Sequence, residues 1–224
     1  MNAVREWVVE RGRGIASLRR SARDLPEPGP GEVRVRLRVA ALNARDLWMP
    51  DSGHGTVVPG SDGAGVVDAV GEGVTAWHAG DRVAALFYPD WQAGPPERAH
   101  VARSLGGALD GVLREAMIVP AHGLVALPDA IDFETAATLP TAGLTAWHAL
   151  TASQVRAGDT VLLLGTGGVS MLALELTRAM GLRASLSSSD EVTIARSPIA
   201  LTSGSASIDT PPVPSSSTVS PART

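Results

Sequence analysis

The alternation of apolar and polar residues in the first half of the chain predicts β-strands. Residues 32–39 alternate strictly, with valine and leucine on one face and mainly arginine on the other. A period of two places one face of a strand in a core and the other in water. Further strands, separated by glycine and proline, are predicted over residues 6–10, 57–70, 81–87 and 117–127.

From residue 132 the apolar spacing becomes helical, with Phe133, Ala136, Leu139 and then Leu144 and Trp147 near a period of 3.6. A short apolar run over residues 160–164 follows, and a second helical pattern covers residues 168–180. The change of pattern near residue 130 predicts an α/β fold class with an N-terminal all-β part.

The glycine-rich turn between the apolar run and the second helix is a candidate cofactor site. It contains, in order, Gly165, Thr166, Gly167, Gly168 and Val169. A strand, a tight turn and a helix N-terminus in this order form a pocket for a dinucleotide diphosphate, because free amide groups and the helix dipole face the anion. An ordinary glycine turn is the alternative. We expect the amides of residues 165–169 to be available to a diphosphate.

Composition narrows the possible classes of function. The 224 residues carry a net charge of -4 and contain no cysteine, so disulfides and zinc sites built with thiolates are excluded. No basic patch favours nucleic acid, and no apolar run has the roughly 20 residues of a membrane span. No signal-peptide core precedes the first strand. A cytoplasmic location is predicted.

Eight short motifs follow one another in order along the chain. They are PGPGE at 28–32, AALNARDL at 40–47, PGSDGAGVV at 59–67, VGEGV at 70–74, GDRV at 80–83, AATLPTAGLTAW at 136–147, AGDTV at 157–161 and GTGGV at 165–169. Together they resemble the medium-chain dehydrogenase/reductase superfamily, in its zinc-independent alcohol dehydrogenase and quinone reductase-like branch. The resemblance implies a GroES-like β-barrel followed by a Rossmann-type parallel sheet. It also implies hydride exchange between NADPH, or NADH, and a carbonyl, quinone or activated alkene, in an enzyme that is often homo-oligomeric.

The resemblance also identifies the positions at which zinc-dependent relatives bind their catalytic metal. These positions correspond to Asn43, Ser61 and Ala142. None of the three supplies a thiolate or an imidazole. The five histidines are widely spaced, without an i, i+4 pair. We therefore predict no metal site.

Three residues are candidates for contact with the reacting groups. Asn43 either donates an amide hydrogen to the acceptor oxygen or caps its own turn. Asp46 either anchors that turn or takes a proton, and anchoring is favoured. The resemblance places Thr145 beside the nicotinamide, while a bond to a carbonyl one turn back is the alternative.

The end of the chain departs from the family pattern. Ser187 and Ser188 resemble the small polar cluster that meets the adenosine ribose, and the missing acidic residue favours NADPH.

Residues 184–224 hold 12 serines, five threonines and five prolines, which predicts a disordered tail. The strand at 160–164 is expected to lack neighbours, and a reading-frame shift near residues 183–190 is one explanation.

The predicted domains are therefore a substrate-binding barrel over residues 1–130, a partial cofactor domain over 131–183 and the tail over 184–224. The predicted function is an NAD(P)H-dependent oxidoreductase that acts on a small molecule without catalytic zinc. The alternative is a C-terminally truncated, non-catalytic remnant that binds a partner through its incomplete sheet.

Overall fold

Two antiparallel sheets build the first of the two units into which the chain divides, residues 1–141 and 142–224. The computed structural model describes residues 3–187 and 199–202. The smaller sheet has the order β2-β1-β4 and the larger one β7-β3-β5-β6-β8. The strands are β1 Val4–Glu10, β2 Arg19–Arg23, β3 Glu32–Ala41, β4 Thr56–Val57, β5 Asp62–Val70, β6 Arg82–Ala85, β7 Ala116–Pro120 and β8 Leu124–Ala126.

Helices in this unit are short. They are α1 Arg45–Trp48, α2 Arg98–Val101 and α3 Phe133–Ala137, with single turns of 3-10 helix at Ile15–Ser17, Met49–Asp51 and Ala121–Gly123. Two alanines of α3, Ala136 and Ala137, pack in one buried cluster with Ala64 and Ala84 of the larger sheet. This packing explains why α3 belongs to the first unit. The domain limits predicted from the sequence stay a prediction.

The strict alternation in β3 is confirmed on its apolar face and modified on its charged face. Val33 and Val35 are buried in the core of the larger sheet. On the other face Arg34 and Arg36 form ion pairs with Asp68 of β5, at 2.7 and 3.1 Å. Arg34 and Arg36 therefore share one carboxylate across the sheet surface, while Arg36 and Arg38 remain exposed to water.

The pairing of β3 with β5 determines which residues meet at the end of these strands. The register places Ala41 opposite Asp62, so the turn after β3 lies beside the residues that open β5. Gly65 permits this close pairing, because a Cβ atom there would overlap the carbonyl of Arg36. Asn43, two residues beyond Ala41, is thereby brought next to Ser61.

The second unit is a parallel sheet with helices, which confirms the predicted change to an α/β architecture. Its elements are α4 Leu144–Ala152, β9 Thr160–Leu164, α5 Gly168–Ala179, β10 Arg183–Ser187 and β11 Ile199–Thr202, and β9 lies between β10 and β11. Val161 and Leu163 of β9 pack with Leu150 of α4 and Ala173 of α5, all four being fully buried. In the described part of the chain, no helix is long and apolar enough to span a membrane.

Two expectations for the C-terminal region are corrected. The strand at 160–164 has two parallel neighbours, and residues 184–187 and 199–202 of the predicted disordered tail lie in β10 and β11. Backbone hydrogen bonds do not require apolar side chains, so the serine-containing segment 183–187 pairs with β9 although four of its five residues are exposed. The rest of the tail lies outside the described residues.

Candidate functional site

A buried polar cluster forms where β3 ends and β5 begins. Asn43 starts the turn that leads into α1, and its backbone amide donates a 2.8 Å hydrogen bond to Oδ2 of Asp46. The backbone amide of Asp46 donates in return to the carbonyl of Asn43 at 2.9 Å. Asp46 thus closes the turn that presents Asn43, which supports the anchoring interpretation of this carboxylate.

The Asn43 side chain joins this turn to the start of β5. Its Nδ2 atom donates to Ser61 Oγ at 3.2 Å and to Asp62 Oδ2 at 3.0 Å. A carboxamide has two N–H donors. Both are therefore engaged inside the cluster, where they orient Ser61 and Asp62.

Thr141 completes the cluster from a π-helical segment, Leu139–Gly143. Its hydroxyl donates to Asp62 Oδ1 at 2.5 Å, and its backbone amide donates to Asp62 Oδ2 at 3.2 Å. The hydroxyls of Thr141 and Ser61 lie 3.5 Å apart. Single π turns frequently mark functional sites, because they displace a residue from the regular helical ladder.

The two carboxylates of the cluster are strongly desolvated. Asp62 is 1% exposed and Asp46 is 6% exposed. Burial raises the pKa of Asp62, although hydrogen bonds from Thr141 and Asn43 oppose the rise. Burial likewise raises the pKa of Asp46, whose Oδ1 atom has no hydrogen-bond partner within the described residues. Polar groups at this site therefore act in a low-dielectric environment.

Arg45 adds a cation beside these acids. Its guanidinium lies 4.7 Å from the ring centroid of Phe87 and donates to the carbonyl of Leu105 at 3.2 Å. Burial lowers the pKa of Arg45, while Asp46 and Asp62 favour its charged form. Arg45 is thus held within the fold by an aromatic ring and a carbonyl.

Two of the three positions that correspond to metal ligands in zinc-dependent relatives, Asn43 and Ser61, are hydrogen-bonded to each other in this cluster. Thr141, which joins them through Asp62, is the residue before the third such position, Ala142. Among the described residues, no group of three or more histidine, cysteine, aspartate or glutamate side chains is arranged to hold a metal. The sequence identifies Ser61 as a position of a metal ligand in relatives and favours a turn residue over a proton donor there, and it gives Asp62 and Thr141 no role. The contacts of Thr141 with Asp62 and Ser61 span 79 and 80 residues of the chain, so no local pattern shows them.

The glycine turn in the second unit leads from β9 directly into the N-terminus of α5. Gly165 has a φ of 82°, a left-handed conformation that favours glycine, and Gly167 is the N-cap of α5. The first amides of a helix have no acceptor within the helix. No acidic residue lies in the first turn of α5. Ser170 is buried there, and its hydroxyl donates to the carbonyl of Leu164 at 3.0 Å, so it packs α5 against β9.

One amide of the turn is already engaged. The Gly165 amide donates a 2.8 Å hydrogen bond to the carbonyl of Ser187 at the end of β10. The expectation of available amides from 165 to 169 therefore does not hold at Gly165, whose contribution is conformational. Thr145 is exposed on α4. Ser187 is the last residue of β10, and Ser188 lies outside the described residues.

Comparisons with known proteins agree with both halves of this description. Residues 29–129 match the family of alcohol dehydrogenase GroES-like domains. A zinc-type alcohol dehydrogenase-like protein of Schizosaccharomyces pombe is 39% identical over 198 residues, which cover 84% of this chain and 57% of that protein. A quinone oxidoreductase of Pseudomonas aeruginosa is 36% identical over 179 residues, covering 76% of this chain and 49% of that protein.

The crystal structure of a putative alcohol dehydrogenase from Sinorhizobium meliloti 1021 superposes with a TM-score of 0.77 at 38% identity, covering 85% of this chain and 58% of the other. The fold is thus that of the GroES-like and nucleotide-binding oxidoreductases. The chain belongs to the medium-chain dehydrogenase/reductase superfamily. It spans about half the length of the curated relatives that it matches.

Proposed function

We propose that this chain belongs to an NAD(P)H-dependent oxidoreductase that transfers hydride to or from a carbonyl, quinone or activated alkene without catalytic zinc. The observation that carries the proposal is the donor set of the buried cluster. Asn43 and Ser61, at two positions that correspond to metal ligands in zinc-dependent relatives, are hydrogen-bonded to each other, and Asn43 and Thr141 donate to Asp62. Carboxamide and hydroxyl groups are poor zinc ligands compared with thiolate and imidazole, and the single carboxylate is occupied by these hydrogen bonds.

The glycine turn fits the diphosphate of a nicotinamide cofactor. The start of α5 combines amides that lack helical acceptors with a first turn that contains no carboxylate. Gly167, Gly168 and Val169 would hold the diphosphate, and Thr166 flanks it. The bound nicotinamide supplies or accepts the hydride. Thr145, Ser187 and Ser188 are proposed as further cofactor contacts, and the lack of an acid beside the serines favours NADPH over NADH.

In this proposal the cluster serves the acceptor oxygen. A hydrogen-bond donor placed where negative charge develops stabilises the transition state of hydride transfer. The hydroxyl of Ser61 is the group suited to that role, because Thr141 already donates its single O–H to Asp62 Oδ1. Asn43 positions Ser61 and Asp62 through its two bonds, and Asp46 positions Asn43 through the turn.

A charge test at Gly168 examines cofactor binding. A Cβ atom at this position would meet only Ala142 Cβ at 3.8 Å, so small side chains are tolerated. Gly168→Asp adds a carboxylate that interacts favourably with the positive end of the helix dipole but repels a diphosphate. Gly168→Asn is the neutral control of equal size. Titration of NADPH fluorescence should give a Kd at least about tenfold weaker for Asp than for Asn.

The NADPH titration of the two Gly168 variants also defines the result that would refute the proposed diphosphate site. Equal NADPH affinities for the two Gly168 variants, with both folded, would contradict the proposed diphosphate site.

Turnover of NADPH with a quinone such as 9,10-phenanthrenequinone, measured together with metal content, tests the reaction itself. Turnover that disappears with chelation and returns with zinc would contradict a zinc-independent mechanism.

A second candidate is a binding module that associates through its sheet. β10 is an edge strand of the described parallel sheet, and its Leu186 is 40% exposed. Exposed strand edges pair readily with other chains. Association with an intact relative, measured by light scattering on a size-exclusion column, together with absence of turnover, would favour this candidate over the enzyme.

A further inference from the structure

A cleft of about 510 Å³ opens in the first unit, and none of the polar-cluster residues lines it. Its walls come from the β1–β2 pair, from β3 and from the segment 112–115. The lining combines apolar and cationic residues, among them Trp7, Arg20, Leu37, Arg38 and Leu113. Its volume lies within the range of about 300–1,000 Å³ that is typical of small-molecule sites.

The acids of this cleft already have cationic partners. Glu115 accepts a 2.7 Å hydrogen bond from Arg5 Nε, and Glu6 lies 3.0 Å from Arg23 Nε. Within the described residues, no ion pair involves Arg20 or Arg38. The cleft therefore carries an excess of positive charge.

Arg114 does not add to this excess. Its side chain is 6% exposed and lies beside Asp110, with Nη1 4.0 Å from Oδ2 and Nη2 donating to the Asp110 carbonyl at 3.3 Å. Asp110 and its second cationic partner, Arg23, do not line the cleft. The cations available to a ligand in the cleft are therefore Arg20 and Arg38.

Trp7 gives the cleft an aromatic surface. The indole is 38% exposed, and the guanidinium of Arg20 lies 5.1 Å from its ring centroid. An arginine stacked on an indole forms a cation–π pair that leaves guanidinium N–H groups able to bind a carboxylate. Leu37 and Leu113 extend the apolar surface beside it.

We propose that this cleft binds a small organic anion, a carboxylate carried on a flat aromatic body. The carboxylate is attracted by Arg20 and Arg38, and the aromatic body packs against Trp7 and the leucines. Charge complementarity selects the anion, and the apolar wall selects an organic ligand over an inorganic one.

Isothermal titration calorimetry on the full chain with 2-naphthoate tests the proposal. Binding should be detectable at ligand concentrations up to about 1 mM. The neutral analogue 2-naphthamide, which has the same body without the charge, should bind at least about tenfold more weakly, and so should inorganic phosphate. No heat with naphthoate, or equal affinity for the amide or phosphate, would overturn the proposal.

Substitutions at exposed positions locate the ligand without disturbing the core. Trp7→Leu and Arg38→Ala should each raise the Kd for 2-naphthoate about tenfold. Arg19→Ala is the matched control, because Arg19 is an exposed arginine of β2 that does not line the cleft. If the two cleft variants bind naphthoate with the affinity of the control, the ligand site lies elsewhere and the proposal is wrong.

Discussion

Removal of the Thr141 hydroxyl should destabilise the chain in a pH-dependent manner. Thr141→Val keeps the size and branching of the side chain and deletes the donor to Asp62 Oδ1, which lies at 2.5 Å. Thr141→Ser keeps the hydroxyl and loses only a methyl group. Comparison of the two variants therefore isolates the hydrogen bond to a buried carboxylate.

The expected loss follows from the burial of the acceptor. Asp62 is 1% exposed, so water cannot replace the missing donor without rearrangement. A hydrogen bond to a charged group contributes about 1.5–3 kcal/mol, and a buried acceptor left unsatisfied costs a comparable amount. We expect Thr141→Val to lower the free energy of unfolding by about 2–3 kcal/mol at pH 7, and Thr141→Ser by less than about 1 kcal/mol.

The sign of the pH dependence is determined by the pKa of Asp62. Burial raises this pKa in the folded protein, and the loss of a donor to the carboxylate raises it further. A group with a raised folded-state pKa contributes stability below its unfolded pKa of about 3.9, and that stability is lost as the pH rises through the folded pKa. The difference between wild type and Thr141→Val should therefore grow from about pH 4 towards pH 7.

Urea unfolding followed by tryptophan fluorescence measures these differences. Trp77 reports on the first unit, because its indole Nε1 donates to the carbonyl of Ala121 at 2.8 Å. Equal stabilities of the valine and serine variants would refute the assigned hydrogen bond. A stability difference that does not change between pH 4 and pH 7 would refute a titrating, buried Asp62.

Two further predictions concern the metal positions and the second core. The first is that a triple variant, with Asn43→Cys, Ser61→His and Thr141→Cys, should bind zinc. The polar atoms of Asn43 and Ser61 are 3.2 Å apart and those of Ser61 and Thr141 are 3.5 Å apart, close to the ligand–ligand spacing of about 3.4–3.8 Å in tetrahedral zinc. Mass spectrometry should find one zinc per chain in the triple variant and none in the single Ser61→His control. The second is that Leu163→Ala, at a fully buried position, should lower the free energy of unfolding by about 2–5 kcal/mol. Leu186→Ala, at an exposed position, should change it by less than about 0.5 kcal/mol. Equal effects of the two substitutions in thermal unfolding would contradict the described core.

Local patterns predicted most strands of the first unit and the β9–α5 segment of the second, because burial repeats with the period of each element; β2, Arg19–Arg23, was not predicted. The alternation in β3 placed Val33 and Val35 in the core, and the apolar run at 160–164 is β9. The arginine row was harder to predict. Its partner, Asp68, is distant in sequence and comes into reach only through the pairing of β3 with β5.

The polar cluster was only half predictable for the same reason. Asn43 and Asp46 interact within one turn, so residue types and spacing indicate their relation. Asp62 and Thr141 meet through a strand register and a π-helical turn that no local pattern encodes. β10 was not predicted for a different reason. Its exposed serines have the pattern of a loop, although its backbone forms a parallel pair with β9.

The pairing of Ala41 with Asp62 separates the architecture of the cluster from its reactivity. Main-chain bonds between two strands hold Asn43 and Ser61 in proximity, whatever side chains those positions carry. We therefore expect the chemistry of these two positions to change with their side chains while the scaffold stays intact. Diversification there would require substitution alone, without refolding.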